Sequence, residues 1–491
     1  MPLLITLNRQ GEFPLYQQII EHLKTQINDG RLPAGTQLPT IRQLATEVGV
    51  TRLTVQNAYS ELQAQGLIEA RVGRGTFVSR RIKPHIFKSS ADTDLNSDNV
   101  ITDMVQLSQV VGMRSMAIAE PDPSFFPAEE FWACLGQLRN EVKPLLAYYP
   151  ALGDPTLRVE LTRLLHERGI ETSPEDIMVT SGATQGLSLV TQALTQPNDT
   201  VIIEQPTFLG FLNILKAHRL QPVGVPMDEE GPQLDELERI LATQRPRFYY
   251  TIPNFHNPTG ISMSSQRRRE LLAMAEYYDL VVVEDDIYGQ LAYDATPLPL
   301  KAADKTDRVL YISSFSKVLM PGLRIGYVVM PSHLREQLLA LRRAADLCGP
   351  AFVQRALANF LHEGGLKRHL SRVLTPYKAR RDALLQALQS CMPPQVQWTR
   401  PDGGYSCWLT MPRRFAPGEL YQMALAHGFA FAPGEAFLIQ PHPNEQIRLS
   451  FSNQTTTAIH SGVEFLAELI QGRIEPKQPQ RIEALDWEVP V

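Results

Sequence analysis

The stretch Ser313-Ser314-Phe315-Ser316-Lys317, with Gly322-Leu323-Arg324-Ile325-Gly326 close behind it, follows the apolar run Val309 to Ile312. An amine held beside small hydroxyls and a cation suits a Schiff-base lysine, because a neighbouring positive charge helps depress its pKa. Taken alone, a surface lysine at a strand end explains the same residues, so the rest of the chain must decide.

Working outward, Glu284-Asp285-Asp286-Ile287-Tyr288 ends the strand-like run Leu280 to Val283. A carboxylate at a strand's C-terminal edge can keep a pyridine nitrogen protonated and make the ring an electron sink, although acidic triplets are usually solvated loops. Ser181-Gly182-Ala183-Thr184-Gln185 lies between a strand and a helix, where backbone N–H groups cradle phosphate; small-residue turns of this kind are common. Asn254-Phe255-His256-Asn257-Pro258-Thr259-Gly260 reads by itself as an Asn-Pro turn, with His256 as a packed loop histidine rather than an acid–base group. Phe208, in Glu204-Gln205-Pro206-Thr207-Phe208, can stack on a ring or be core. Arg448, in Ile447-Arg448-Leu449-Ser450-Phe451, can clamp a carboxylate or pair with an acid. Strand runs Ile177–Val179, Thr200–Ile203, Phe248–Ile252, Leu280–Val283, Val309–Ile312 and Ile325–Val329 alternate with helical stretches. That alternation predicts an α/β body with a mainly parallel sheet.

Together and in this order, the motifs resemble the fold-type-I aminotransferases over roughly residues 113–470, including the opening string Glu120-Pro121-Asp122-Pro123-Ser124-Phe125-Phe126-Pro127. The resemblance implies a large domain with a mainly parallel sheet, a smaller C-terminal α+β domain, and pyridoxal 5'-phosphate as cofactor. It implies Lys317 as the catalytic, Schiff-base lysine, Asp285 on the pyridine nitrogen, and Tyr288 and Asn257 on the phenolic oxygen. Phe208 would stack on the ring, and Ala183, Thr184, Ser314, Ser316 and Arg324 would hold the phosphate. Tyr148 would reach the partner subunit's cofactor in a homodimer. Arg448 would take the α-carboxylate of an amino acid. Leu209-Gly210-Phe211-Leu212, after Phe208, brings no cation, which points to a neutral or apolar amino acid rather than a dicarboxylic one.

The chain has 491 residues, 43% hydrophobic and 20% charged, which excludes disorder and disulfide mini-scaffolds. No apolar run approaches a membrane span of roughly 20 residues, and Met1 to Gln10 has no signal-peptide pattern. The four cysteines, Cys134, Cys348, Cys391 and Cys407, lack metal or CxxC spacing. A reduced, cytoplasmic protein without a metal site is the expectation. Residues 1–80 carry eight Lys/Arg against six Asp/Glu, a net of +2, while the remainder carries 39 against 46, a net of -7. A basic head on an acidic body suggests nucleic acid for the head.

In that head, Leu15, Ile19, Leu23 and Ile27 recur every four residues and predict a helix over Pro14 to Asn28. A second helix is expected from Thr40, its N-cap, to Val48, and a third from Thr51 to Gln65. Strands Leu67–Arg71 and Thr76–Ser79 follow around Val72-Gly73-Arg74-Gly75. A helix–turn–helix reads the major groove with the start of its second helix. Thr51, Arg52, Thr54 and Gln56 lie there as base readers, Arg42 as a phosphate contact, and Gly73 and Arg74 at the wing. Leu38-Pro39-Thr40-Ile41-Arg42-Gln43-Leu44-Ala45, Gly49-Val50-Thr51-Arg52-Leu53-Thr54-Val55, Gly66-Leu67-Ile68 and Gly73-Arg74-Gly75-Thr76-Phe77-Val78 closely resemble the GntR-type winged helix. The resemblance implies a dimer on paired half-sites of double-stranded DNA.

The expected division is residues 1–80 for the winged helix, 81–112 for a polar linker, 113–475 for the aminotransferase-like domain and 476–491 for a tail. Such a fusion resembles the MocR/GabR family of transcription regulators, which implies sensing of an amino acid or amine through an aldimine at Lys317. The alternative is an active aminotransferase carrying an accessory DNA-binding domain. His256-Asn257-Pro258-Thr259-Gly260 keeps that alternative open, since many of those regulators have His-Gln-Phe-Pro there.

Overall fold

The computed structural model describes residues 14–28, 32, 35–64, 67–71, 75–78, 114–140, 142–411, 419–440 and 446–472. The expected wing contacts Gly73 and Arg74, the linker 81–112 and the tail 476–491 lie outside the described residues. Two compact units divide the chain, parting at Arg114 and Ser115.

In the first unit, helix α1 (Leu15–Asn28) buries Ile19, Leu23 and Ile27, the stripe seen in the sequence. Helix α2 (Ile41–Glu47) begins at Thr40, whose hydroxyl accepts from Gln43 N at 3.2 Å. Gln43 Oε1 accepts in return from Thr40 N at 3.0 Å, so two orphan donors are satisfied reciprocally. Helix α3 (Arg52–Ala64) adds Val55, Ala58 and Leu62 to the same core. Strands β1 (Ile68–Arg71) and β2 (Gly75–Val78) pair antiparallel with Ile68 opposite Val78. This is the expected winged helix–turn–helix, with Leu44 and Ala45 buried and Ile41 only half-buried.

The second unit is built on one sheet of eight strands. They are β3 (Ile177–Thr180), β4 (Thr200–Gln205), β5 (Gln221–Asp228), β6 (Gly231–Pro232), β7 (Phe248–Thr251), β8 (Val281–Asp285), β9 (Val309–Ser314) and β10 (Gly326–Val329). Their order is β3-β10-β9-β8-β7-β4-β5-β6. The run from β9 to β5 is parallel, β10 is antiparallel to both neighbours, and β6 turns back on β5. Apolar clusters cover both faces, one around Val201, Ile203, Phe211 and Leu310, the other around Ile202, Leu237, Leu271 and Val282. Burial on both faces is why these strands read as continuous apolar runs rather than alternating ones.

Strand β5 escaped the sequence reading because Pro222, Gly224 and Pro226 all disfavour a strand interior. It is tolerated near the sheet's edge, beside the two-residue β6. A smaller antiparallel sheet follows, with β11 (Gln397–Trp398), β12 (Ser406–Thr410), β13 (Ala432–Pro433) and β14 (Gln446–Ser450) in the order β11-β12-β14-β13. The long helix Gly365–Cys391 packs on the last helix, Thr456–Ile470, and completes the smaller α+β part. No helix among the described residues is long and apolar enough to cross a membrane.

Candidate functional site: a cofactor cradle and a buried arginine

Register brings the scattered motifs to one edge of the large sheet. Ser314 stands opposite Gly326, and Gly326 opposite Thr180. Asp285 pairs with Ile312, Glu284 with Thr251, and Tyr250 with Ile203. The turns leaving β3, β4, β7, β8 and β9 therefore gather at the strands' C-terminal ends, the place where open α/β sheets bind ligands.

The phosphate-type cradle is the start of the helix Ala183–Leu194. Gly182 precedes it at φ +83°, and no side chain caps the helix, so its first N–H groups have no intrahelical acceptor. A Cβ on Gly326 would come within 2.6 Å of Gly182 C and 2.7 Å of Ala183 N, so only glycine lets the two turns meet. Arg324, left-handed at φ +51°, reaches back so that Nη2 donates to Ser181 O at 3.1 Å. Ser314 is buried at the end of β9, and Ser316 is half-buried in the next turn.

Lys317 follows in that turn. Tyr405 OH donates to the Lys317 carbonyl at 2.8 Å, which fixes the backbone from the smaller part of the unit. Its Nζ donates to Ala119 O at 2.9 Å. Withdrawal from solvent pulls the amine down to about 8; Glu120 opposes this, and Arg448 and Arg324 add to it. The neutral, nucleophilic form is thus within reach at physiological pH, as a Schiff-base lysine requires. We expect the rate of capture of an aldehyde by Lys317 to rise with pH and level off above about 8. A pH series of stopped-flow absorbance traces checks this; a rate still climbing steeply at the pH of an ordinary lysine would contradict the lowered pKa.

Asp285 ends β8 with no exposed surface. Tyr250 OH donates to its Oδ2 at 2.9 Å, while among the described residues its buried Oδ1 has no hydrogen-bond partner. Burial pushes the carboxyl up to about 7, the Tyr250 hydrogen bond acting against it. A buried carboxylate oxygen without a donor is costly, and a protonated pyridine nitrogen is the donor it suits. Lysine, orphaned carboxylate, uncapped helix start and arginine are the donor set that fits pyridoxal phosphate. Phe208 begins the helix Leu209–Ala217, its ring packed over Gly210, where a Cβ would lie 2.4 Å from Cζ. Leu209 and Phe211 are core, so their apolar character serves packing rather than the site.

Arg448, on β14, is buried. Its Nη1 donates to Asn257 Oδ1 at 2.8 Å, Nη2 donates to Ala117 O, and Nε has no partner. The guanidinium carbon sits 4.9 Å from the centre of the Phe437 ring. Burial pulls Arg448 down to about 10, with Tyr288 opposing, so it stays charged at neutral pH. Among the described residues no carboxylate forms an ion pair with it, an arrangement that favours an incoming anion. Tyr288 is buried beside Tyr405, ring centres 5.9 Å apart. Tyr148 is 88% exposed in the single chain.

His256 is wholly buried, its Nδ1 2.8 Å from Thr259 Oγ1 and its Nε2 3.2 Å from Glu204 Oε2. It orders the loop that carries Asn257. Sequence reasoning missed Tyr250, which read as a strand residue, Tyr405, and the carbonyls of Ala117 and Ala119. Backbone carbonyls carry no residue-type signal, so nothing in the sequence singled them out.

In the head, Thr51, Arg52 and Gln56 are exposed at the start of α3, and Thr54 is half-buried. Thr51 caps the helix: its Oγ1 accepts from Thr54 N at 3.2 Å and lies 2.9 Å from Thr54 Oγ1. The two threonines therefore serve the helix start. Leu53, 63% exposed beside Arg52, was missed because an apolar residue in a helix is normally assigned to the core. Arg42 is exposed on α2.

Residues 121–466 match the aminotransferase class I and II family, and residues 15–78 match the gntR family of bacterial regulatory proteins. The chain is 32% identical to the HTH-type transcriptional regulator YdfD of Bacillus subtilis, over 94% of this chain and 98% of that protein. It is 36% identical to aromatic-amino-acid aminotransferase 1 of Thermococcus litoralis, over 76% of this chain and 91% of that one. Among solved structures, α-aminoadipate aminotransferase LysN of Thermus thermophilus, complexed with N-(5'-phosphopyridoxyl)-L-leucine, superposes with a TM-score of 0.71. It is 32% identical and covers 76% of this chain and 94% of its own. With a gntR-family winged helix and a class I and II aminotransferase fold in one chain, this protein belongs to the HTH-type transcriptional regulators of the aminotransferase class I and II family.

Proposed function

We propose that the protein is a pyridoxal phosphate-dependent transcription regulator of the MocR/GabR type, whose DNA affinity responds to an amino acid or amine. The observation that carries this reading is one chain holding both an exposed helix start in a winged helix and, at one sheet edge, Lys317, the buried Asp285, Arg324 and an uncapped helix start. The cofactor, when bound, supplies an aldehyde that condenses with amines. Lys317 presents the amine that holds it, and Asp285 keeps the ring nitrogen protonated through Oδ1. Ala183, Thr184, Ser314, Ser316 and Arg324 orient the phosphate, and Phe208 covers the ring. Asn257 and Tyr288 bond the phenolic oxygen. Arg448 receives the α-carboxylate, and a homodimer lets Tyr148 serve the neighbouring site. The cytoplasm, where operator DNA and free amino acids meet, is the fitting location.

A working aminotransferase is the second reading, favoured by the intact His256-Asn257-Pro258-Thr259-Gly260 loop and by Lys317 as a proton carrier. Absorbance titration of purified protein with single amino acids, beside a DNA-shift assay, separates the two. A lasting spectral change with altered DNA affinity supports sensing, whereas steady release of a 2-oxo acid with unaltered DNA affinity sinks it.

On DNA, Arg52 reads a base and Arg42 holds phosphate. Arg52→Ala should cost about 1–3 kcal/mol on the operator and relax preference at one base position. Arg42→Ala should weaken all sequences alike and lower the salt slope by about 1. Binding titrations over a set of single-base operator variants at several salt concentrations test both; an Arg52→Ala protein with unchanged preference would show that the reading face is misplaced.

A further inference from the structure

The chain that leaves the linker enters the body as the segment Ser115 to Pro127, and this segment touches both ligand-binding residues by main chain alone. Arg448 Nη2 donates to Ala117 O, and Lys317 Nζ donates to Ala119 O at 2.9 Å. Among the described residues, the segment's other long-range hydrogen bonds go to the smaller C-terminal part. Ser452 Oγ donates to Glu120 O at 2.5 Å, and Gln454 Nε2 donates to Ser115 O at 3.0 Å. Arg380 Nη2 donates to Asp122 Oδ2 at 2.5 Å, and Asp122 N donates to Tyr377 OH at 3.0 Å.

We propose that Ser115–Asp122 is a ligand-released strap: an incoming α-carboxylate takes Arg448 from the Ala117 carbonyl and so passes occupancy to the chain running to the DNA reader. This rests on the reading of the body as an amino acid site. The exchange is favourable because a buried guanidinium held by two neutral oxygens gains a charge-assisted, two-pronged partner. Ala117 O then loses its donor, and a buried carbonyl left without one drives the backbone to move. While Lys317 holds the cofactor its amine no longer donates to Ala119 O, so that hold reports the cofactor and the Ala117 hold reports the amino acid. The linker need not be a rigid lever: its body-side anchor changes, and a ligand shifts DNA affinity only by such a difference between states.

Amide exchange of the full-length protein tests the strap. The reporters are Met116 N–H, bonded to Ala430 O at 2.8 Å, and Asp122 N–H. With no ligand present, Arg448→Ala should speed exchange of these amides roughly tenfold, by removing one hold. Ser452→Ala, at a residue outside the proposed cofactor and amino acid contacts, should do the same by freeing Glu120 O. Both ligand-free variants should bind an operator, selected from a random duplex pool, with affinity shifted towards that of wild type carrying pyridoxal phosphate and L-leucine. Unchanged exchange in both variants, or faster exchange with unmoved DNA affinity, overturns the strap. If the ligand-free variants respond while pyridoxal phosphate and L-leucine leave the wild-type amides and DNA affinity unaltered, the ligand-released strap and the sensing reading fall together; unchanged variants beside a ligand-responsive wild type overturn the strap alone.

Discussion

Replacing Lys317 with alanine is expected to abolish the covalent pyridoxyl adduct that borohydride fixes on the protein, and with it the yellow colour after dialysis. The size of the effect follows from proton occupancy. A lysine near the ordinary value of about 10.4 is neutral in less than about one molecule in a thousand at pH 7. Burial brings Lys317 to about 8, which raises that fraction by roughly two orders of magnitude. Other lysines are poorly placed to substitute. Lys301 is held between Asp304 at 3.1 Å and Asp307 at 2.9 Å, and Lys378 lies 2.5 Å from Asp294. Each of these amines is already engaged by a carboxylate. Peptide mapping of the reduced protein decides the matter, and a fixed adduct on any other lysine would displace Lys317 from its assigned role.

The second large effect concerns stability. Asp286→Ala should destabilise the larger unit by about 3–5 kcal/mol, because it leaves the buried Arg168 without its counter-charge. Arg168 Nη1 donates to Asp286 Oδ2, which also accepts from Tyr311 OH at 2.8 Å, while Asn254 Nδ2 donates to Oδ1 at 2.6 Å. Asp286 itself has almost no exposed surface. Removing it strands several buried donors at once, and Asn254 would lose the bond that fixes the start of the Asn257 loop. Urea melts followed by tryptophan fluorescence measure the loss. A midpoint within experimental error of wild type would mean that Arg168 finds solvent or another anion.

The sequence by itself determined the class of both units and the identity of most groups at the candidate site. That was possible because the decisive features are local. The four-residue stripe of α1, the Thr40 cap, and the apolar runs Leu280–Val283 and Val309–Ile312 depend on neighbours a few residues away. Gly182 and Gly326 could be quoted with their motifs, but only the structure shows that Gly326 lies against the Gly182–Ala183 backbone, where a Cβ would clash, and that Gly182 takes φ +83° beside the Arg324 guanidinium. Tertiary structure alone decided what each group meets. That Asp285 keeps one oxygen without a donor depends on Tyr250 from the adjacent strand reaching only the other. That Arg448 is charged, buried and held by an amide and a carbonyl depends on Asn257, 191 residues away, and on Ala117, 331 residues away. Residue types carry local propensity and chemistry. Burial, and with it the lowered pKa of Lys317 and the hold of Arg448 on the Ala117 carbonyl, belongs to contacts between distant segments, which one-dimensional spacing does not encode.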